Sequence, residues 1–277
     1  MLQEYEDTNE FWEIEAKNGL VKLSTSSTWV FSRHYWKKRF LDIVQDAISL
    51  VENNTLPLRI LKTDLWNEGI DTQRNVLGTI RSRDAEFFGI DISKFTASKA
   101  ANNNNLKALQ SSIDALPFRN DSFNLLLDMS TIDHLPLGQR EKAIWEYQRV
   151  LESNGILVLV FDKRSILFSL TLLKNVLSGK WKGNEKSYAP SQFGPDSVIR
   201  IKGYLESQKF EILGEGIVAL NWGNIVGALF SGAKSKVFRF LIDRKSLQRA
   251  IYKLEISRVS IYLSSFAEQY FIICRKQ

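Results

Sequence analysis

The sequence predicts an α/β fold with a doubly wound, mostly parallel sheet. Short apolar runs, typical of strands buried on both faces, alternate along the chain with longer segments of helical periodicity. The alternation favours a parallel sheet, because two parallel strands can be joined only by a crossover of helical length. Polar residues crowd the end of the apolar run 123–129, and ligands of open α/β sheets bind at the carboxyl ends of the strands. We therefore expect the functional site there.

The first half of the chain supplies predicted helices at 35–52, 72–83 and 94–102, and predicted strands at 58–61 and 85–90. The first helix rests on apolar residues that recur on one face: Phe40, Ile43, Val44, Ala47, Ile48 and Val51. Ser93 is the expected N-cap of the third helix. Residues 1–34 show no comparable period and are expected to be irregular.

The second half supplies predicted strands at 123–129, 156–161, 209–220 and 270–274, and predicted helices at 140–151, 166–176 and 197–207. Asn154-Gly155 is expected to end the helix at 140–151. Residues 179–195 are rich in Gly and Pro and predict a loop, whereas 234–256 are basic and amphipathic.

Composition excludes several classes of protein. Of the 277 residues 44% are hydrophobic, which suits a globular protein with a large core. With Cys274 as the single cysteine, no disulfide can form within the chain, and no ligand spacing predicts a metal site. The acidic N-terminus is not a signal peptide, and the longest uncharged run, 216–233, is too polar to span a bilayer. These features predict a cytoplasmic protein.

Three motifs resemble the class I S-adenosylmethionine-dependent methyltransferases. They are Gly89-Ile90-Asp91-Ile92-Ser93, the segment LPFRNDSFNLLL at 116–127, and RVLESNG at 149–155 before an apolar strand. They occur in the family's order and spacing within residues 58–162. The resemblance implies a seven-stranded Rossmann-like sheet whose last strand is antiparallel. The sequence itself predicts an N-terminal helical cap at 1–56. The methyltransferase domain is then expected at 57–277, with a helical insertion at 220–266 before the last strand.

The sequence departs from the family in two places. The first motif of the family is a glycine-rich loop, but here it reads KTDLWNEG at 62–69, in which only Gly69 is a glycine. Lys62 or Asp64 stands at the family's acidic position, and Asp64 is favoured because the cofactor's ammonium group needs an anion nearby. Ser112 stands where the family has an aspartate that accepts from the adenine amine. A serine hydroxyl can also accept that bond.

The resemblance implies S-adenosylmethionine as the cofactor. Asp91 would accept the ribose hydroxyls in a bidentate way. The complete set of expected contacts is Thr63, Asp64, Leu65, Asp91, Ile92, Ser112, Ile113, Asp114, Met129 and Ser130. The alternative role for Asp91 is to cap the helix that follows it.

Two residues beyond the fourth strand are candidate catalytic bases. His134 has an ordinary pKa near 6.5, which suits proton removal from a methyl acceptor. Asp133 is the second candidate. For both, the alternative is a structural role in capping a helix or a loop.

The methyl acceptor is expected to be a small molecule, methylated on oxygen, nitrogen or carbon. The segment DMST at 128–131 lacks the motif of the amino-methylating nucleic-acid enzymes, and Cys274 is misplaced for cytosine methylation. Positive net charge alone favours RNA, as a weaker alternative. The missing glycines favour another alternative, a catalytically inactive protein that binds a ligand or a partner. The segment 220–266 is either a lid over the site or a surface for anionic lipid or a hydrophobic substrate. The sequence leaves the oligomeric state open.

Overall fold

The computed structural model of the chain describes residues 10–19, 30–51, 57–80, 84–102, 106–163, 196–219 and 269–277, with the isolated residues 249, 250, 252, 253, 257, 265 and 267. The seven strands among them form one sheet in the order β3-β2-β1-β4-β5-β7-β6. The strands are β1 Leu58–Lys62, β2 Ala85–Asp91, β3 Leu106–Gln110, β4 Phe123–Met129, β5 Leu151–Asp162, β6 Phe210–Ala219 and β7 Gln269–Lys276. All neighbouring pairs are parallel except those that involve β7.

Helices cover both faces of the sheet. They are α1 at residues 10–19, α2 Val30–Leu50, α3 Trp66–Gly69, α4 Lys94–Ala101, α5 Leu137–Val150 and α6 Val198–Ser207. In β4, Leu126 belongs to the core cluster that contains α5 and α6, whereas Leu125 and Leu127 belong to the cluster that contains α2. Both faces of β4 are therefore buried, which explains why its sequence is apolar throughout instead of alternating.

The fold confirms the predicted class, a mostly parallel seven-stranded sheet with an antiparallel last strand. The strand predicted at 123–129 has those bounds, and all seven of its residues are buried. The other predicted strands differ from the observed ones at their ends. Ser93 caps α4 as predicted, because its hydroxyl accepts a hydrogen bond from the backbone N–H of Thr96 at 3.1 Å.

The helix predicted at 72–83 is wrong. Thr72–Arg74 and Leu77–Thr79 form two separate 3-10 helices. Side chains take the backbone donors that a continuous helix would use: Glu68 Oε1 accepts from the N–H groups of Val76 and Leu77, and Asn75 Oδ1 accepts from Gly78.

Two further expectations are corrected. Residues 1–34 are not irregular throughout, since 10–19 are helical and α2 begins at Val30. The helix α5 ends at Val150, before Asn154, and Leu151 begins β5 directly. Leu151 pairs with Phe123 and Ile156 with Leu125, so residues 152–155 form a bulge. Asn154 adopts a φ of 65° there, a conformation that asparagine tolerates better than most residues.

Some sequence expectations fall outside the described residues. These are the helix at 166–176, the loop at 179–195, and almost all of the segments at 220–266 and 234–256. Within the described ranges, no helix has the length and apolar character needed to cross a bilayer.

Candidate active site

A cavity of about 430 Å³ opens at the carboxyl ends of β1, β2 and β4. Strand order reverses between β1 and β4, so the loops that follow these two strands diverge and leave a crevice. Seven of the residues predicted from sequence line it: Thr63, Asp64, Asp91, Ile92, Met129, Ser130 and His134. Ser112, Ile113, Asp114, Leu65 and Asp133 are not among its described lining residues.

Asp91, the last residue of β2, is fixed by two backbone donors. Its Oδ2 accepts from the N–H of Leu65 at 3.1 Å and its Oδ1 from the N–H of Ser93 at 2.8 Å. Burial and then the neighbouring charge of Asp64 raise the pKa of Asp91 to about 7. A carboxylate has about four acceptor positions, so two remain for a ligand in the cavity.

The glycine-poor loop leaves the cavity open because Leu65 turns away from it. The Leu65 side chain is fully buried against Gly89 of β2, where an added Cβ would lie 2.5 Å from Leu65 Cδ2. The space that a side chain at position 89 would take is thus occupied by Leu65. Gly69 allows a second close approach, since a Cβ there would lie 2.6 Å from the carbonyl oxygen of Thr96 in α4.

Lys62 ends β1 with a fully buried side chain. Its Nζ lies 2.9 Å from Glu68 Oε2 and 3.7 Å from Asp64 Oδ2, and it also donates to the carbonyl of Asp64. Burial disfavours the charge of Lys62, but Glu68 and Asp64 outweigh it and raise the pKa of the ammonium group. Lys62 is therefore a structural cation beneath the loop, whereas Asp64, of the two candidates for the acidic position, lines the cavity.

A buried polar network supports the end of β4. Tyr147 of α5 donates to Asp128 Oδ2 at 2.7 Å, and Asp128 Oδ1 accepts from the N–H of Thr131 at 2.8 Å. Thr131 and Thr63 are joined through their hydroxyls at 3.1 Å, which links the loops after β4 and β1. Burial raises the pKa of Asp128 to about 6, although Tyr147 and Thr131 lower it.

The two predicted bases lie in one 3-10 helix, Ile132–His134, but in different surroundings. His134 lines the cavity and contacts Trp12 edge-to-face with ring centroids 4.6 Å apart. Burial lowers the pKa of His134, which keeps its imidazole neutral at pH 7. Asp133 is 2% exposed, and its Oδ1 has no hydrogen-bond partner among the described residues. Burial, with the nearby charge of Asp128, raises the pKa of Asp133 to about 7.

Arg140 fixes the backbone of this 3-10 helix. Its guanidinium is fully buried and donates to the carbonyls of Leu135 and Asp133 at 3.1 and 3.0 Å. A third bond, at 2.7 Å, goes to the carboxylate of Asp196. The loop that carries His134 is thereby tied to α5 and to the segment that precedes α6.

Helix α1 lies against the mouth of the cavity. Glu13 accepts hydrogen bonds from the hydroxyl of Ser93 at 2.7 Å and from the N–H of Phe95 at 3.1 Å, at the N-terminus of α4. Burial opposes the charge of Glu13, but these donors keep its pKa below the usual value. A Cβ at Gly19 would lie 2.6 Å from the Trp66 ring, so the end of α1 packs closely on α3.

The segment expected to bind adenine forms its own small network. The Ser112 hydroxyl donates to Asp114 Oδ1 at 2.5 Å, and Lys142 of α5 lies 3.4 Å from Asp114 Oδ2. Asp114 is 4% exposed. The adenine role of Ser112, Ile113 and Asp114 stays a prediction.

Sequence reasoning missed several lining residues, among them Trp12, Phe40, Arg74 and Gln269. Gln269 could have been found from the sequence. It immediately precedes the last predicted strand, and because that strand is expected to be antiparallel, it starts at the edge of the sheet where the parallel strands end. It donates to Asp162 Oδ1 at 2.8 Å and to the hydroxyl of Ser130 at 3.3 Å. Trp12, Phe40 and Arg74 carry no local signal, since only the packing of α1, α2 and the 3-10 helix brings them to the cavity.

In the described part of the chain, no group of three His, Cys, Asp or Glu residues could hold a metal ion.

Comparison with known proteins agrees with this geometry. Residues 69–159 match the family described as methyltransferase domain. A protein of Haemophilus influenzae, described only as uncharacterized, is 34% identical over 77 residues, which cover 25% of this chain and 31% of that protein. The chain thus matches less than a third of the length of that relative.

Solved structures share the fold at low identity. One is a complex between the Haloferax volcanii Trm112 methyltransferase activator and a methyltransferase, with a TM-score of 0.54, 13% identity, and coverage of 95% of this chain and 96% of that one. Geranyl diphosphate C-methyltransferase from Streptomyces coelicolor, solved with S-adenosyl-L-homocysteine, has a TM-score of 0.51, 10% identity, and coverage of 84% and 79%. The [4+2]-cyclase SpnF has a TM-score of 0.51, 16% identity, and coverage of 85% and 80%.

The strand order, the family match and these likenesses confirm the resemblance that the three motifs carry. S-adenosylmethionine is the cofactor that the matched domain implies. The chain has the class I S-adenosylmethionine-dependent methyltransferase fold, and its residues 69–159 match the methyltransferase-domain family.

Proposed function

We propose that this protein transfers a methyl group from S-adenosylmethionine to a small-molecule acceptor. The observation that carries the proposal is the carboxylate of Asp91, which borders a cavity at the switch point of the sheet and keeps two acceptor positions unused by the backbone. Ribose hydroxyls are the donors that such a carboxylate suits.

The residues around the cavity fit this cofactor. The Leu65 side chain packs against Gly89 of β2 and does not enter the cavity, so the lack of glycines in the loop does not block the cavity. Asp64 offers an anion for the ammonium group, while Ile92 and Met129 offer apolar contact for the adenosine. The hydroxyls of Thr63 and Ser130 complete the wall.

Methyl transfer requires the protein to align the acceptor with the methyl group, and it requires no covalent bond between the protein and either reactant. When bound, the cofactor supplies an electrophilic methyl on a sulfonium, which an in-line nucleophile displaces. The cavity wall would orient the acceptor, and Trp12 and His134 would exclude water from it. The neutral imidazole of His134 would take the acceptor's proton. Asp133, the other candidate, is buried and is not among the described residues that line the cavity, so His134 is the better placed of the two.

A small-molecule acceptor suits the size and chemistry of the cavity. Trp12, Phe40 and Trp66 line it, and aromatic walls favour a compact acceptor with apolar surface. The segment DMST after β4 lacks the motif of amino-methylating nucleic-acid enzymes. The acceptor atom is left open.

A second candidate function is ligand binding without methyl transfer. It is favoured by Lys62, which places a buried cation at one of the two candidate positions for the family's acid. Fold alone does not fix chemistry, and one protein of this fold is named a cyclase.

Isothermal titration calorimetry with S-adenosylmethionine and S-adenosylhomocysteine tests the proposal. We expect saturable binding of both at submillimolar concentration, and its loss in Asp91→Ala. The matched control is Asp84→Ala, since Asp84 is exposed and no described contact uses its side chain. His134→Ala should keep the affinity, because His134 is assigned to the acceptor. Absence of binding by the wild-type protein would reject a cofactor-dependent enzyme, and full affinity in Asp91→Ala would reject the ribose role.

A further inference from the structure

We infer that Arg74 is the carboxylate subsite of this cavity and binds the α-carboxylate of the cofactor's methionine part. The inference rests on the proposed function and deepens it. Arg74 ends the 3-10 helix Thr72–Arg74 and lines the cavity, with 31% of its side chain exposed. Nothing in the sequence motifs points to this residue.

One edge of the Arg74 guanidinium is already held. Its Nε donates to Asp71 Oδ2 at 2.7 Å, and the Asp71 side chain is only 2% exposed. The two Nη groups make no hydrogen bond with any described residue. A guanidinium fixed at Nε keeps a planar pair of donors in a set orientation, which matches the two oxygens of a carboxylate.

Charge in the cavity agrees with an amino-acid ligand. Among its described lining residues the acids are Asp64 and Asp91, and Arg74 is the single Lys or Arg. Asp91 is assigned to the ribose, which leaves Asp64 and Arg74 as an anion and a cation for the remaining part of the ligand. An α-amino acid presents the complementary pair, an ammonium and a carboxylate.

The neighbouring cation cannot take this role. Lys62 is fully buried, is paired with Glu68 at 2.9 Å, and is not among the described residues that line the cavity. The alternative for Arg74 is that it merely neutralises Asp71. A partly exposed ion pair of that kind contributes little to stability and does not depend on the ligand.

The two roles are distinguished by comparing S-adenosylmethionine with decarboxylated S-adenosylmethionine, which keeps the sulfonium, the ammonium and the nucleoside but lacks the carboxylate. Calorimetric titration of both ligands is performed on the wild-type protein and on Arg74→Gln, Arg74→Lys and Arg119→Gln. Arg119 is exposed and makes no described side-chain contact, so its variant controls for the loss of one positive charge. Circular dichroism confirms that each variant is folded.

We expect the wild-type protein to bind S-adenosylmethionine about tenfold or more tightly than the decarboxylated ligand, because charge-assisted hydrogen bonds carry that preference. Arg74→Gln should bind the two ligands within about twofold of each other, with the loss confined to S-adenosylmethionine. Arg74→Lys should keep part of the preference, and Arg119→Gln should keep all of it.

Two results would overturn the inference while leaving the proposed function in place: wild-type protein that binds both ligands equally, or Arg74→Gln that keeps the wild-type preference. If the wild-type protein binds neither ligand, the proposed function fails and the inference fails with it.

Discussion

At the residue scale, buried carboxyl groups are the feature that most distinguishes this site. Asp91, Asp128 and Asp133 lie within one region, and burial raises the pKa of each, to about 7, 6 and 7. Asp91 and Asp128 each accept two hydrogen bonds, Asp91 from backbone N–H groups and Asp128 from the Tyr147 hydroxyl and the Thr131 N–H. Asp133 is the least satisfied, since its buried Oδ1 has no partner among the described residues. Such a group is tolerated more easily in its neutral form.

Asp133 leads to a prediction about pH. Its folded-state pKa of about 7 lies above the unfolded value near 3.9, so the folded state binds more protons between these limits. The free energy of unfolding should therefore fall as pH rises from about 4 to 7, by up to about 1.4 kcal/mol per pH unit for this group. Asp133→Asn, which cannot ionise, should show a shallower fall.

Urea unfolding of both proteins between pH 5 and pH 8 measures this difference. Asp84→Asn serves as the control, because Asp84 is exposed and should leave the pH profile unchanged. Parallel profiles for wild type and Asp133→Asn would contradict the raised pKa.

At the element scale, the loop between β1 and α3 shows how a family motif can change while the cavity persists. The loop is poor in glycine, but Gly89 of the neighbouring strand β2 lacks a side chain, and Leu65 fills the space that Gly89 leaves. The Leu65 N–H holds Asp91, so the same residue connects the loop to the ribose-binding candidate. Lys62 and Glu68 fix the loop from below.

Gly89→Ala should therefore disturb both stability and cofactor binding. A Cβ 2.5 Å from Leu65 Cδ2 would push Leu65 off its position, at a cost of about 1–3 kcal/mol. Cofactor affinity should fall as well, because the Leu65 N–H would leave Asp91. Adding Leu65→Ala to this variant makes room for the new methyl group and should recover part of both losses.

Chemical denaturation and calorimetry on Gly89→Ala, Leu65→Ala and the double variant test this coupling. Gly203→Ala in α6 is the control, since nothing lies within 4 Å of its added Cβ, and it should be neutral or slightly stabilising. Additive losses in the double variant would show that residues 65 and 89 do not share one space.

At the scale of the whole molecule, α1 completes the cavity from a part of the chain distant from the motifs. Trp12 contacts His134, Glu13 binds the N-terminus of α4, and Gly19 packs on Trp66. The α4 contact is the polar one of the three, and its donors are held in place by the capping geometry of Ser93. Glu13 should therefore carry much of the attachment of α1.

Glu13→Ala should release α1 from the mouth of the cavity. Amide hydrogens of residues 10–19 should exchange roughly tenfold faster, because charge-assisted hydrogen bonds to Ser93 and Phe95 are lost. Hydrogen exchange followed by mass spectrometry measures this change. Glu10→Ala is the control, as Glu10 is exposed and makes no described side-chain contact. Equal exchange in the two variants would assign the attachment to Trp12 and Gly19 instead.

The sequence by itself determined the sheet and the family resemblance. An apolar run such as 123–129 is buried on both faces only when helices cover both sides of the sheet. The position of Asp91 at the end of its strand follows from the sequence alone and does not depend on which strand β2 pairs with. It did not determine the conformation of 72–83, because Glu68 and Asn75 capture backbone donors through side-chain contacts that periodicity does not reveal.

Only the tertiary structure decided how the site is closed and charged. The place of Leu65 depends on a glycine in another strand, and Trp12, Arg74 and Gln269 reach the cavity from three elements far apart in sequence. Contacts of this kind depend on how helices pack on the sheet. Local propensity carries no record of that packing, so only the tertiary structure places Arg74 at the cavity.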